Sequence, residues 1–388
     1  KRASPEALSG GIVTLLAVAG GIVGVFASTL SDLVGGKAAC KATLAAQTVG
    51  LLLTAWPSTY LIGLTVSYFA GSACTPIFTS LFTSQFDDER LTQKLVTYLY
   101  AFGNCAFLLA TVVAGVQPFW LGYLECAALC AGSLICLVVM SSSLTDSKEK
   151  AGSPDAQPPR ASRSDVRVYA YGVLCAFTLL FWALFMQFLG GPFMVFAAKE
   201  SSPLGGFHVP APWFLSLNGL LDLFLGVPLG WMYERVIDLR FYQKFRISFL
   251  MMTLGFGILA LAAQLAPYGG VSSLALAASV LFISLGELHY NPVMLAAISS
   301  EMPSNMVGLF TGIHFMLGGL GNGIAGIGVP LYASMGSGVF FTAVCSLAAA
   351  GMLCLQLISP WLTRCFEEES KSECLPLHPS KLHSLDKP

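Results

Sequence analysis

Long apolar runs recur along the chain, each closed by a short polar or charged stretch. Within a run the apolar positions are continuous and do not alternate with polar ones. Runs of about 20 such residues predict helices that cross hydrocarbon, and the lack of alternation argues against a β-barrel. Eleven runs can be read, at about 8–30, 42–56, 59–85, 95–116, 118–141, 168–198, 211–232, 247–265, 271–299, 306–332 and 336–362. At about 22 residues each they occupy roughly 240 residues, which leaves little for a soluble domain. The first run is too long for a cleaved signal peptide and leads straight into a charged loop and another span.

Composition agrees with this pattern. Of 388 residues 55% are hydrophobic and 11% charged, where soluble domains carry about 25% charged residues. Lys and Arg (20) nearly balance Asp and Glu (21), so there is no basic face for nucleic acid. Charge placement tests the map independently. Alternate loops on one side hold Lys37, Lys41, Arg90, Lys94, Lys148, Lys150, Arg160, Arg163, Arg167, Arg235, Arg240, Lys244, Arg246, Arg364, Lys371, Lys381 and Lys387. The other side holds Lys1, Arg2 and Lys199, a split of 17 against 3 that uses all 20. A wrong number of spans would scramble this parity. By the positive-inside rule the rich side is expected to be cytoplasmic.

The longest polar interval, rich in Ser, Pro and charge, reads as a flexible linker. It divides the chain into an N-terminal bundle (1–141), a cytoplasmic linker (142–166), a C-terminal six-helix bundle (167–362) and a cytoplasmic tail (363–388). Two membrane bundles joined this way describe an all-α, two-bundle transporter fold with six spans per half. The first half is one helix short of that design. Either a first helix precedes Lys1, which Lys rather than Met at position 1 favours, or the chain starts late.

Several attractive motifs carry no chemistry. Most of the 11 cysteines fall in spans or inner loops, with no CxxC or His/Cys ligand spacing, so neither a metal nor a cofactor is expected. Gly321-Asn322-Gly323-Ile324-Ala325-Gly326 matches a dinucleotide-binding pattern, but it lies inside an apolar helix with no preceding strand. That glycine-dense stretch instead suits close helix packing. No nucleophile–base pattern points to an enzyme.

The informative groups are the polar ones inside spans. Three carboxylates lie there: Glu125, near an outer end from which it could snorkel, Asp222 and Glu287. A charged carboxylate in hydrocarbon costs at least a few kcal/mol, so it usually faces a water-filled path or carries a proton. Asp222 follows Asn218 by one turn, so the two share a face, and Pro228 would loosen the same helix. Glu287 is the strongest candidate. Tyr290 and Asn291 share its face, and Pro292 frees a backbone carbonyl one turn earlier, which suits a helix that bends or breaks at a binding site. His289 and His314 could take part in proton transfer.

These residues sit in a wider pattern. Phe181-Trp182 through Met186-Gln187, Ser216-Leu217-Asn218 with Pro228 and Tyr233, and Gly286-Glu287 through Pro292 are its C-terminal marks, continued by Ala297, Pro303, Gly308, Gly312 and Gly321-Asn322. Ser31-Asp32 through Gly36-Lys37, Gly71, Pro76, Gln85-Phe86-Asp87, Tyr100 and Asn104 are its N-terminal marks. In them the chain resembles the proton-coupled oligopeptide transporters of the major facilitator superfamily. The resemblance implies alternating-access symport of di- or tripeptides, or similar small zwitterions, with protons, by a monomer in a lipid bilayer. It implies substrate contacts at Asn104, Trp182, Gln187, Asn218, Glu287, Tyr290 and Asn291. Coupling would run through Glu287, Asp222 and His314, and Asp32, Gly36 and Lys37 would act in the cytoplasmic gate.

The chain also departs from that family. The first-helix ExxERFxYY motif is missing, Thr75 stands where a lysine is usual, Met186 replaces an acidic residue, and His314 a tryptophan. These departures keep open another small solute, such as an amino acid, nitrate or a metabolite. A non-transporting scaffold or sensor is a further alternative.

Overall fold

The computed structural model describes residues 5–86, 89–113, 118–145, 165–189, 191–237, 239–266, 270–302 and 306–368. Helices account for nearly all of them. In order they are α1 (Pro5–Val34), α2 (Gly36–Thr54), α3 (Tyr60–Thr83), α4 (Glu89–Val113), α5 (Phe119–Met140) and α6 (Asp165–Leu189), then α7 (Pro192–Glu200), α8 (Ala211–Arg235), α9 (Phe241–Leu265), α10 (Ser273–Leu288), α11 (Asn291–Glu301), α12 (Val307–Met335) and α13 (Ser337–Thr363). A short parallel ladder joins β1 (Ser201–Ser202) to β2 (Val271–Ser272). Most of the linker and the tail lie outside the described residues, as do Asp87 and Pro303.

Each expected apolar run coincides with a helix, but two runs are broken in ways that proline and glycine dictate. The run at 168–198 divides after Leu189, and Pro192, following Gly191, opens α7. The run at 271–299 ends at Leu288 and restarts at Asn291 with Pro292 in its first turn. Proline has no N–H to donate and its ring crowds the preceding turn, which favours a break at these two places, although α3, α8, α12 and α13 continue through Pro76, Pro228, Pro330 and Pro360. Among the described residues eight stretches are long and apolar enough to span a bilayer: α3, α5, α6–α7, α8, α9, α10–α11, α12 and α13. The other three expected spans fall short on that measure. Lys37 and Lys41 lie within α2, Glu89, Arg90 and Lys94 open α4, and the apolar part of α1 is the shorter Val18–Ser31.

What holds the bundle together is different in its two parts. From α6 onward a dense aromatic core includes Phe181, Phe185, Phe188, Phe245, Phe249, Phe256 and Phe341, all fully buried. Earlier in the chain a small cluster of Cys40, Cys74, Ile77, Leu81 and Leu137 ties α2, α3 and α5. Large apolar side chains such as Phe26, Leu129 and Leu357 point outward, the last 78% exposed. In lipid this costs nothing, because the solvent is as apolar as the side chain.

The two parts meet along two seams: α1 packs on α12, and α4 on α8. Gly312 makes the first possible. A Cβ there would lie 2.8 Å from Val25 Cα and 3.4 Å from the Gly24 carbonyl oxygen, both backbone atoms of α1. Gly321, nine residues on, serves α6 instead, where a Cβ would lie 2.5 Å from Trp182 Cβ and 2.8 Å from its carbonyl carbon.

The polar ends of alternate helices gather at one end of the bundle. There Lys37 Nζ donates to the Leu144 carbonyl (3.1 Å), Lys41 Nζ to Ser141 Oγ (2.8 Å) and Gln85 Nε2 to the Thr145 carbonyl (2.8 Å). Arg167 and Glu301 form a buried ion pair at 3.3 Å at the same end. Lys244, expected just outside its span, lies inside α9 and is buried, with its ammonium 3.9 Å from the centroid of the Tyr233 ring. That cation–π contact compensates for the lost water.

Candidate functional site

Glu287 occupies the last turn of α10, directly before the break, and is buried. The hydroxyl of Tyr100 on α4 donates to its Oε1. Asn218 Nδ2 on α8 donates to its Oε2 at 3.0 Å and to Ser284 Oγ at 2.9 Å. One turn on from Asn218, Asp222 lies against the same glutamate with no exposure, and neither of its carboxylate oxygens receives a hydrogen bond. Ser248 Oγ, donating to the Gly286 carbonyl at 2.6 Å, pins α9 to this turn. Among the described residues no lysine or arginine reaches either carboxylate.

Across the break a second polar group continues the chain of contacts. Asn291 lies beside Tyr100. Its Oδ1 accepts from Nε2 of the fully buried His314 at 2.8 Å, which leaves His314 Nδ1 without a partner. The His314 ring meets the Trp182 ring edge to face with centroids 6.2 Å apart. Tyr290 turns the other way. It stacks on Phe181 at 4.0 Å between centroids and donates to Thr178 at 2.7 Å, deep in the aromatic core.

Trp182 also belongs to the wall of a cavity of about 450 Å³ between the two parts. Facing it across the space, α3 presents Ser67, Tyr68, Gly71, Ser72 and Thr75, a stripe at helical spacing. Gln47 from α2, Met186 from α6 and Asn322 from α12 add to the lining, with Gly21 of α1 and Phe315 of α12 beside them. Among the described lining residues none is charged. The cavity lies beyond the Gly312 seam, on the side away from the charge-rich end.

The remaining expected residues fall around these two places. Asn104, one turn after Tyr100, has a buried Nδ2 with no partner, and its carbonyl abuts Gly219 of α8. Gln187 donates Nε2 to the Ala183 carbonyl at 2.9 Å, while its Oε1 is buried and unpaired against Gly328. Gly36 starts α2 and Lys37 bonds to the end of α5, so both sit at the charge-rich end. Asp32 lies in the last turn of α1, but its side chain is outside the described residues. Glu125 is exposed on α5.

Thus Glu287, Asp222, Asn218, Asn291 and His314 are brought into one connected group, and of the expected substrate contacts only Trp182 lines the cavity. Sequence reasoning passed over Ser284 and left Tyr100 out of the site. It also missed the α3 stripe, although its spacing of hydroxyl-bearing residues was visible in 67–75.

The Major Facilitator Superfamily profile matches residues 3–326. The chain belongs to this superfamily. It is 33% identical over 177 residues to the peptide transporter YePEPT of Yersinia enterocolitica subsp. palearctica serotype O:3 (strain YE-P4). That stretch is 43% of this chain and 34% of the relative, so the match spans about a third of the relative's length. A solved peptide transporter POT in complex with sulfate superposes with TM-score 0.70 at 20% identity, covering 93% of this chain and 86% of that one. The human organic anion transporter MFSD10 (TETRAN) superposes with TM-score 0.72 at 13% identity, covering 89% and 83%. At these identities the solved structures establish the superfamily fold. The protein is an integral, multi-pass membrane protein with the fold of a transporter.

Proposed function

We propose that this superfamily member is a proton-coupled symporter of small peptide-like solutes, with its charge-rich end in the cytoplasm. The observation that supports this reading is the pairing of a solute-sized cavity with a buried carboxylate cluster along one continuous line of contacts. Trp182 forms the cavity wall, touches His314, and is linked through Asn291 and Tyr100 to Glu287. A solute pressing on Trp182 would move α6 against α12. The His314–Asn291 bond would carry that movement to α11, directly after Glu287. Gln47, Ser67, Ser72, Thr75 and Asn322 offer donors and acceptors suited to amide groups, and the indole would stack on a side chain.

Alternating access then needs the α1–α12 and α4–α8 seams to open at the charge-rich end while the cavity closes at the other. Asp32, Gly36 and Lys37 would fasten that end when it is shut. The likeness to a peptide transporter supports the choice of cargo.

Uptake of labelled dipeptide into liposomes under an inward proton gradient tests the reading. Uptake should exceed the no-gradient control and fall to that control in Glu287→Gln. Gradient-independent uptake in the unmodified protein would refute the proton coupling.

A further inference from the structure

The geometry assigns the transported proton to Asp222, with Glu287 as its anionic acceptor, so that the two carboxyl groups form one proton-holding unit. This inference deepens the coupling proposed above and rests on it. It starts from the hydrogen-bond donors. Both oxygens of Glu287 are already served, Oε1 by the Tyr100 hydroxyl and Oε2 by the Asn218 amide. Donors favour the charged form of a carboxylate. Asp222, equally buried, has no donor to either oxygen and no exposure. A bare carboxylate there would carry an unsolvated charge against a second one, and two carboxylates in contact do not both ionise. The arrangement that satisfies every atom places one proton on Asp222, whose O–H then donates to Glu287.

The neighbouring elements supply no competing partner. From α4 the facing titratable group is Tyr100, which already donates to Glu287. From α12 it is His314, held by Asn291. Lys244 of α9 rests on the Tyr233 ring, and His289 meets that ring edge-on while its Nδ1 contacts the Leu285 carbonyl. During transport the O–H bond of Asp222 breaks and the proton leaves to water. Two negative charges then remain in contact. Their repulsion pushes α8 away from the last turn of α10, a movement at the α4–α8 seam.

Infrared spectroscopy of the purified full chain in liposomes at neutral pH reads this assignment directly, through the carbonyl band of a protonated, buried carboxyl group. The band should shift to lower frequency when aspartate carboxyl groups carry carbon-13, stay in place when glutamate carboxyl groups do, and be lost in Asp222→Asn. In Asp222→Asn the new amide becomes a third donor to Glu287 and holds it ionised. Proton-driven uptake should fall to the no-gradient level in Asp222→Asn and return in Asp222→Glu. A band that survives Asp222→Asn, or shifts with labelled glutamate and not with labelled aspartate, overturns the assignment. The band does not depend on flux, so it stands or falls separately from the transport reading, which fails only if the unmodified protein shows no gradient-driven uptake.

Discussion

Replacing Gly312 with alanine would press directly on the seam between the two parts of the bundle. The added methyl would meet Val25 Cα at 2.8 Å, the Gly24 carbonyl oxygen at 3.4 Å and the Ser28 hydroxyl closer still. Ser28 can rotate away, but the two backbone atoms can yield only if α1 and α12 separate. Overpacking of this kind costs about 1–3 kcal/mol. If the seam opens during the cycle, the cost falls on the closed state alone and shifts the open-to-closed ratio by about 5- to 150-fold. Hydrogen–deuterium exchange in lipid nanodiscs reads that ratio as faster exchange near Thr29–Val34 and Val307–Thr311. Gly321→Ala is the comparison, since its methyl would strike Trp182 on α6 at 2.5 Å, within the C-terminal part. It should lower the melting temperature without opening the seam. Equal exchange in both variants, or none in Gly312→Ala at full stability, would refute the idea that this contact separates.

Three further outcomes follow from contacts described above. Glu301→Gln replaces the charged partner of Arg167 with a neutral one and should cost about 1.5–3 kcal/mol of stability, read as a fall in melting temperature. Tyr290→Phe removes one hydrogen bond of 2.7 Å to Thr178, whose hydroxyl keeps its bond to the Leu174 carbonyl, so stability should fall by about 0.5–1.5 kcal/mol. Solute affinity should not change in that variant, and a tenfold loss by equilibrium binding would return Tyr290 to the substrate site. Trp182→Ala should weaken dipeptide binding at least tenfold, measured by competition against labelled ligand, with Trp182→Phe intermediate.

Much of the fold was legible because membrane helices must satisfy their backbone internally and face lipid, so a run of apolar residues has few alternatives. The charge parity of the loops then constrained how the runs connect. The breaks before Pro192 and Pro292 fall at residues that weaken a helix, and only the second was anticipated as a break. The site was less legible. Helical periodicity put Asn218 with Asp222, and Glu287 with Tyr290 and Asn291. It could not say that Tyr290 would rotate into the aromatic core once the helix broke between them. Nor could it place Tyr100 of α4 against Glu287 of α10, because contacts across 187 residues depend on how whole helices pack. The hydroxyl stripe of α3 carried no signal of its own in the sequence, and it borders open space because Trp182 and Met186 stand across from it.

Among the described residues, the carboxylate pair and the cavity share no lining residue. In the proposed cycle the cargo therefore never touches the proton's binding groups and cannot substitute for one of them. The stoichiometry belongs to the protein and not to the cargo. Neutral, cationic and zwitterionic solutes that fit the cavity should each travel with the same number of protons. The current carried per molecule would then differ between them only by the solute's own charge, a ratio that reversal potentials measure without any mutation.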